Sequence, residues 1–103
     1  MQFVYILKPV RKDMASTGPN KVEEAVMVEH VRYVEELARR GMLVLAGQTN
    51  GDEDHTFGIA VFEAGSEACA RDMMNKDPAV WRGVMTGELY PFRIAVKGNG
   101  HGG

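Results

Sequence analysis

Between Asn20 and Gly41 the sequence describes one long amphipathic helix, and this helix constrains the rest of the chain. Asn20 offers a side-chain acceptor to the free amides of a first turn, and Glu23, three residues on, makes a near capping box. Arg39 and Arg40 complement the dipole at the far end, and Gly41 supplies the left-handed stop. At about 100° per residue, Val22, Val26, Met27, His30, Tyr33, Val34, Leu37 and Ala38 share one stripe. Glu24, Arg32, Glu35, Glu36 and Arg39 lie mostly opposite. His30 is the anomaly. An imidazole within an apolar stripe must find a partner, stay neutral or line a cavity. A hydrogen-bonded core histidine and a functional one are both compatible with the spacing.

The segments around this helix read as strands and one further helix. Residues 3–7 are a continuous apolar run, a strand covered on both faces. Residues 8–20 read as a loop, long for so small a domain, of the kind that often forms lids or binding loops. Residues 42–46 are a second apolar run ending in Gly47-Gln48, residues 49–54 a turn, and residues 56–63 a third strand. Gly58 inside that strand predicts a bulge or a close backbone approach. Ser66 caps a second helix through about Asn75, and Asp77-Pro78 breaks it. Residues 79–84 make a short turn carrying Trp81, and residues 89–96 the last strand, with Pro91 arguing for an edge or a bulge near its start.

Strand, helix, strand, strand, helix, strand is the α+β, ferredoxin-like split βαβ pattern (βαββαβ), with both helices on one face of an antiparallel sheet. Yet the first strands are apolar on both faces: Val4 and Ile6 oppose Phe3, Tyr5 and Leu7, and Val44 opposes Leu43 and Leu45. So large an apolar face is not left open in a monomer, which predicts a homodimer packed sheet to sheet.

The 103 residues suggest one domain, residues 1–97, with a flexible Gly-rich tail at 98–103. A net charge of −2 and the lack of a basic stripe interleaved with aromatics give no support to nucleic-acid binding. No apolar run is long enough for a bilayer, no signal peptide is expected, and the one cysteine, Cys69, fits a reducing compartment. The expectation is a cytoplasmic protein with no membrane contact, in which Cys69 is a buried small hydrophobe. His30, His55 and His101 lack metal-ligand spacing, no phosphate loop follows a strand, and no G-x-S-x-G motif appears. No cofactor or metal is expected, and acyl-enzyme hydrolysis is disfavoured. Asp52-Glu53-Asp54 reads as a solvated turn, the seven methionines as core filler and Trp81 as structural packing.

The chain resembles the YCII-related (YciI-like) proteins. The matching pieces are a strand near the N-terminus, EHVRYVEEL with His30, and GMLVLAGQ; then come an apolar strand with an internal Gly, a Ser-capped helix ending in NKDPAVWRGV, and a last strand. The likeness runs from about Gln2 to Val96 and rests on the order and spacing of short motifs. It implies a dimeric α/β-barrel of ferredoxin-like subunits, with a histidine–aspartate pair in a pocket between helices and sheet; the matching positions are His30 and Asp77. Lyase chemistry, including dehydrochlorination of a hydroxylated chloroaromatic, attaches to one branch of that family, and wider fold relatives include muconolactone isomerase-like enzymes and cofactor-free monooxygenases. Two features depart from the pattern: the loop at 8–20 looks longer, and Gln48 stands where a proline is expected. Substrate identity is therefore not carried over.

On that resemblance, Asp77 orients His30 and leaves its other ring nitrogen free as an acid or base. Alone, an Asp before Pro is commonly a turn or cap residue. Tyr5 and Tyr33 can point phenols into the pocket, although aromatics on such elements are more often core, and Gln48 can donate to a substrate oxygen or simply face solvent. The expectation is a small cofactor-independent enzyme of lyase or isomerase type. Its catalytic residues would be His30 and Asp77, with Tyr5, Tyr33 and Gln48 binding a small organic, perhaps aromatic, substrate. A non-catalytic small-molecule binding or sensing module in the same pocket is the alternative, and an interaction domain docking a partner is the third reading.

Overall fold

A computed structural model of the chain describes residues 1–98, so all but the first residue of the expected tail lies outside the described residues. The chain order is β1 (Gln2–Pro9), α1 (Met14–Thr17), α2 (Lys21–Arg39), β2 (Leu43–Gln48), β3 (Gly58–Glu63), α3 (Glu67–Asn75), α4 (Pro78–Trp81) and β4 (Met85–Phe92). The strands form one antiparallel sheet in the order β2-β3-β1-β4. This is the ferredoxin-like α+β arrangement that the element order predicts, with two short helices, α1 and α4, added in the connections. No helix among the described residues is long and apolar enough to cross a membrane.

Alternation along β1 sorts the layers. Phe3, Tyr5 and Leu7 are buried on the helix side, where Phe3 pairs with Phe62 and Tyr5 with Ala60 of β3. The Phe62 ring lies 6.1 Å from Phe3 and 5.5 Å, edge-on, from Tyr5. Val4 and Ile6 take the opposite face, paired with Val61 and Ile59. Leu45 and Phe92 extend that second apolar face and stay 51% and 42% exposed.

Several local expectations are corrected. The last strand spans residues 85–92, not 89–96, because Met85, Gly87 and Leu89 alternate with exposed Thr86, Glu88 and Tyr90, the period-2 signature of a strand with one covered face. Pro91 sits in that edge strand, as its missing donor requires. The close approach is at Gly87, where a Cβ would come within 2.9 Å of Met74 Sδ and 3.2 Å of Val80; Gly58 has only ordinary contacts. The β-bulge falls in β2, where the register slips between Leu43 and Leu45. On α2, Val26 and Leu37 are buried, whereas Val22 and Ala38, at the two ends of the stripe, face solvent. Cys69 lies on the outer face of α3 and is exposed, as is Trp81, whose ring stacks with the Arg82 guanidinium 5.8 Å away. Asp52-Glu53-Asp54 form an exposed turn between β2 and β3, as expected.

The start of α2 explains how the long connection at residues 10–20 is held. Asn20 and Glu23 form the full capping box: Asn20 Oδ1 accepts from the Glu23 amide at 2.8 Å, and Glu23 Oε1 from the Asn20 amide at 2.9 Å. Arg11 converges on the same carboxylate, donating from Nε and Nη2 with a shortest contact of 2.6 Å. Its Nη1 reaches Asp13 at 2.7 Å, and its Nη2 the Gly18 carbonyl at 2.8 Å. One guanidinium thus fastens both ends of α1 to α2, and the segment read as open loop is an ordered strap. Gly18, at φ 84°, makes the left-handed turn that returns the chain to α2.

The hydrogen bonds from Arg11 and from the Asn20 amide hold the Glu23 carboxyl below the usual glutamate range. The folded chain then binds fewer protons there than the unfolded chain. The Glu23 contribution is fully present above the unfolded carboxylate value, near pH 4, and is lost as pH falls through the lower folded value. Glu23→Gln is expected to lower the urea midpoint at neutral pH, with the gap to wild type closing as pH falls through the lowered folded value. A gap that does not change with pH would show that the Glu23 charge contributes nothing.

Candidate active site

The Asp77-Pro78 step builds the centre of the site. The residue before proline avoids helical backbone, so Asp77 is extended (φ −63°, ψ 123°), and the chain restarts as α4 with Pro78 at its first position. This places the Asp77 side chain under the new helix, where Oδ1 accepts from the Ala79 amide at 3.0 Å. The residue is completely buried. Tyr5, rising from β1, donates its hydroxyl to Oδ2 at 2.7 Å. His30, from the middle of α2, places Nδ1 2.8 Å from each oxygen. Three donors from three elements therefore surround one carboxylate, which is what a buried charge requires.

A carboxylate only accepts, so Nδ1 of His30 carries a proton, and in the neutral ring the lone pair is on Nε2. Nε2 makes no hydrogen bond to another described residue, and the imidazole keeps 18% exposure. It faces a cavity of about 400 Å³ between α2 and the open end of the sheet, walled by Leu7, Met27, Val34, Gln48 and Phe57 among others. Behind the dyad, Arg82 Nη1 contacts both Glu29 oxygens at 2.8 and 2.9 Å, tying the end of α4 to the residue before His30.

His30 and Asp77, paired above only through the family likeness, are thus in direct contact, and His30 borders the cavity. Gln48 closes β2 opposite Gly58, on the helix side of the sheet, and also lines the cavity. The two tyrosines are placed differently from the expectation. Neither is among the cavity-lining residues. Tyr5 lies wholly buried beneath Asp77. Burial, and then the Asp77 charge, push its pKa far above the ordinary phenol value, so it remains a donor. Tyr33 donates to the Met73 carbonyl at 2.6 Å; burial and the charges of Asp77 and Asp72 push its pKa up to about 12. Both phenols are used within the protein. The sequence reading overlooked Met27 and Met85 as cavity wall. Met27 carried a usable signal, since it lies three residues before His30 on the same stripe, but Met85 had none until β4 was known to begin there. Among the described residues, no three His, Cys, Asp or Glu converge as a metal-ligand set.

Comparison with known proteins agrees with this architecture. The pattern of the YCII-related domain matches residues 1–93. No curated protein matches the chain. Among solved structures, the chain is similar to 5-chloro-2-hydroxyhydroquinone dehydrochlorinase (TftG) from Burkholderia phenoliruptrix AC1100, in complex with 2,5-dihydroxybenzoquinone. The TM-score is 0.66 at 18% identity, covering 90% of this chain and 94% of that one. At that identity the likeness is one of fold.

The dyad geometry makes a spectroscopic prediction. In Asp77→Asn the Ala79 amide keeps the amide oxygen as its acceptor, so the new NH₂ group faces His30 Nδ1. The imidazole is expected to switch to the Nε2–H tautomer, read directly from its ¹⁵N shifts. An unchanged Nδ1–H tautomer would show that the carboxylate does not set the ring's protonation.

Proposed function

The chain belongs to the YCII-related domain family, and from that premise we propose that it is a small cofactor-independent enzyme of lyase or isomerase type. In this reading His30 is the general acid/base and Asp77 its orienting partner. One observation carries the proposal: a histidine whose Nδ1 is committed to a buried carboxylate, and whose Nε2 is bonded to no other described residue, lines a cavity large enough for a ring-sized molecule. Nε2 would take a proton from a phenol or from carbon beside a carbonyl, forming imidazolium that Asp77 stabilises. The substrate's electron pair then either expels a leaving group as an anion from a saturated carbon conjugated with it (in a hydroxylated chloroaromatic, the chlorine-bearing ring carbon once it has taken up the phenol's proton, with a second ring hydroxyl giving its proton to Nε2 as chloride departs) or accepts the proton back at another carbon. The first outcome is elimination, the second isomerisation, and neither needs an external oxidant. Tyr5 serves as a positioning residue through Asp77, and Gln48 is the proposed donor to a substrate oxygen. Tyr33 contributes to the wall behind the dyad through Met73.

A hydroxylated aromatic ring is the proposed substrate class. It fits the apolar wall, it supplies an acidic O–H to a base at Nε2, and it is the chemistry of the dehydrochlorinase whose fold this chain shares. We further propose a homodimer packed through the sheet face of Val4, Ile6, Leu45, Ile59 and Phe92, in a cytoplasmic setting that suits the single exposed thiol of Cys69.

With hydroxylated chloroaromatics as test substrates, chloride release is expected from the wild type. His30→Ala is expected to lower it by about 10²–10⁴-fold while leaving the circular dichroism and the unfolding midpoint close to wild type. Activity that survives this change would overturn the mechanism, and saturable binding with no change in ligand mass would instead make the protein a binding module. For the assembly, light scattering is expected to give twice the 11.4 kDa chain mass. Leu45→Glu, which places a charge on an already exposed position of the sheet face, is expected to return the mass to that of one chain.

A further inference from the structure

A second cavity, of about 450 Å³, lies beyond the first. The two share Pro9, Met27, Gln48, Thr56 and Met85 as wall, so they are two ends of one trough. His30 stands at the first end. The strap walls the second, through Met14 and Ala15 of α1 and Pro19. Ser16 Oγ donates to Glu53 Oε1 at 2.5 Å, so α1 also reaches the turn between β2 and β3, and the trough is bounded on both sides. Among the described residues, no charged side chain lines this second chamber; its polar groups are the uncharged Gln48, Thr49, Asn50 and Thr56. The guanidinium nearest in sequence, that of Arg11, is directed instead to Glu23, Asp13 and Gly18.

We infer that the strap and the β2–β3 turn form a second subsite that selects substrates bearing an uncharged apolar tail, an alkyl or aryl chain carried by the ring whose reacting group sits at His30. The inference rests on the proposed placement of the reacting ring, and adds to it what the rest of the substrate must be. An apolar chain leaving water for a methionine-lined wall gains affinity with each carbon, and thioether side chains adapt to varied chain shapes. A terminal carboxylate or phosphate would find no cation in the chamber to offset its desolvation. The strap is thus a specificity-determining element, while the dyad remains the same for any ring.

Three probes test this by NMR on protein carrying ¹³C-methyl methionine and ¹⁵N-histidine: phenol, 4-butylphenol and 4-(4-hydroxyphenyl)butanoate. Phenol is expected to move the His30 ring, Met27 and Met85 signals and to leave Met14 unmoved. 4-Butylphenol should move Met14 as well and bind about tenfold or more tightly than phenol, given roughly three- to fourfold per fully buried methylene. The carboxylate-ended probe should gain nothing over phenol. In Ala15→Trp, which fills the chamber from the strap, the 4-butylphenol-to-phenol affinity ratio should fall toward one. If both phenols bind at His30 but Met14 stays unmoved, or the charged tail binds as well as the butyl one, the subsite is overturned and the role of His30 stands. If 4-butylphenol moves Met14 while His30 is unaffected by any probe, the subsite stands and the placement of the reacting ring at His30 is overturned.

Discussion

The buried carboxylate of Asp77 is the interaction on which this structure turns. A single side chain receives a phenol from the central strand β1, an imidazole from α2 and an amide from α4. Each donor offsets part of the cost of holding a charge away from water, so removing any one leaves the others facing an under-satisfied anion. That mutual need fixes the rotation of α2 above the sheet and the position of α4 against it. The Arg82–Glu29 pair adds little energy at its exposed position, but it braces the same two helices next to the dyad.

Pro78 makes this arrangement possible. Had α3 continued through residue 77, the aspartate would follow the helical spiral, and its carboxylate could not cap the turn that follows. The break turns Asp77 inward, and Gly87 lets α3 and α4 approach β4 closely enough for Met74 and Val80 to fill the space that a side chain would occupy. The geometry of the site is therefore a consequence of backbone chemistry at two residues, neither of which borders the cavity.

Local signals in the sequence were readable because their causes are local. The Asn20–Glu23 capping box, the Gly41 stop, the Ser66 cap and the break at Asp77-Pro78 each depend on residues within a turn of one another, and the structure has them in those places. The errors arose where tertiary context decides. Polar Thr86 and Glu88 disguised an edge strand, Val44 gave no sign of a bulge, and exposed Cys69 looked like core. In the site, His30 announced itself as a polar residue in an apolar stripe. Asp77 lies 47 residues further on, and no periodicity links the two; only the family likeness did so. Tyr5 was singled out for its residue type, but its hydroxyl is turned to the carboxylate rather than the cavity, a choice that depends on the packing of α4.

Glu23 shows why the strap is better understood as a built wall than as a loose cover. Its carboxylate caps α2 through the Asn20 amide and anchors Arg11 in the same plane, so the beginning of the helix and the position of α1 share one acceptor. Displacing the strap, which carries Arg11, would leave the Glu23 carboxylate without its cation. Neither the Arg11 cluster nor the Asp77 cluster uses a residue of the other, and α2 carries both, one at its first turn and one at its middle. A helix that joins two self-satisfied polar clusters holds the far wall of the trough at a fixed distance from Nε2. Under the proposed function, altering residues of α1 changes the length of substrate admitted while the chemistry proposed at His30 is left as it is.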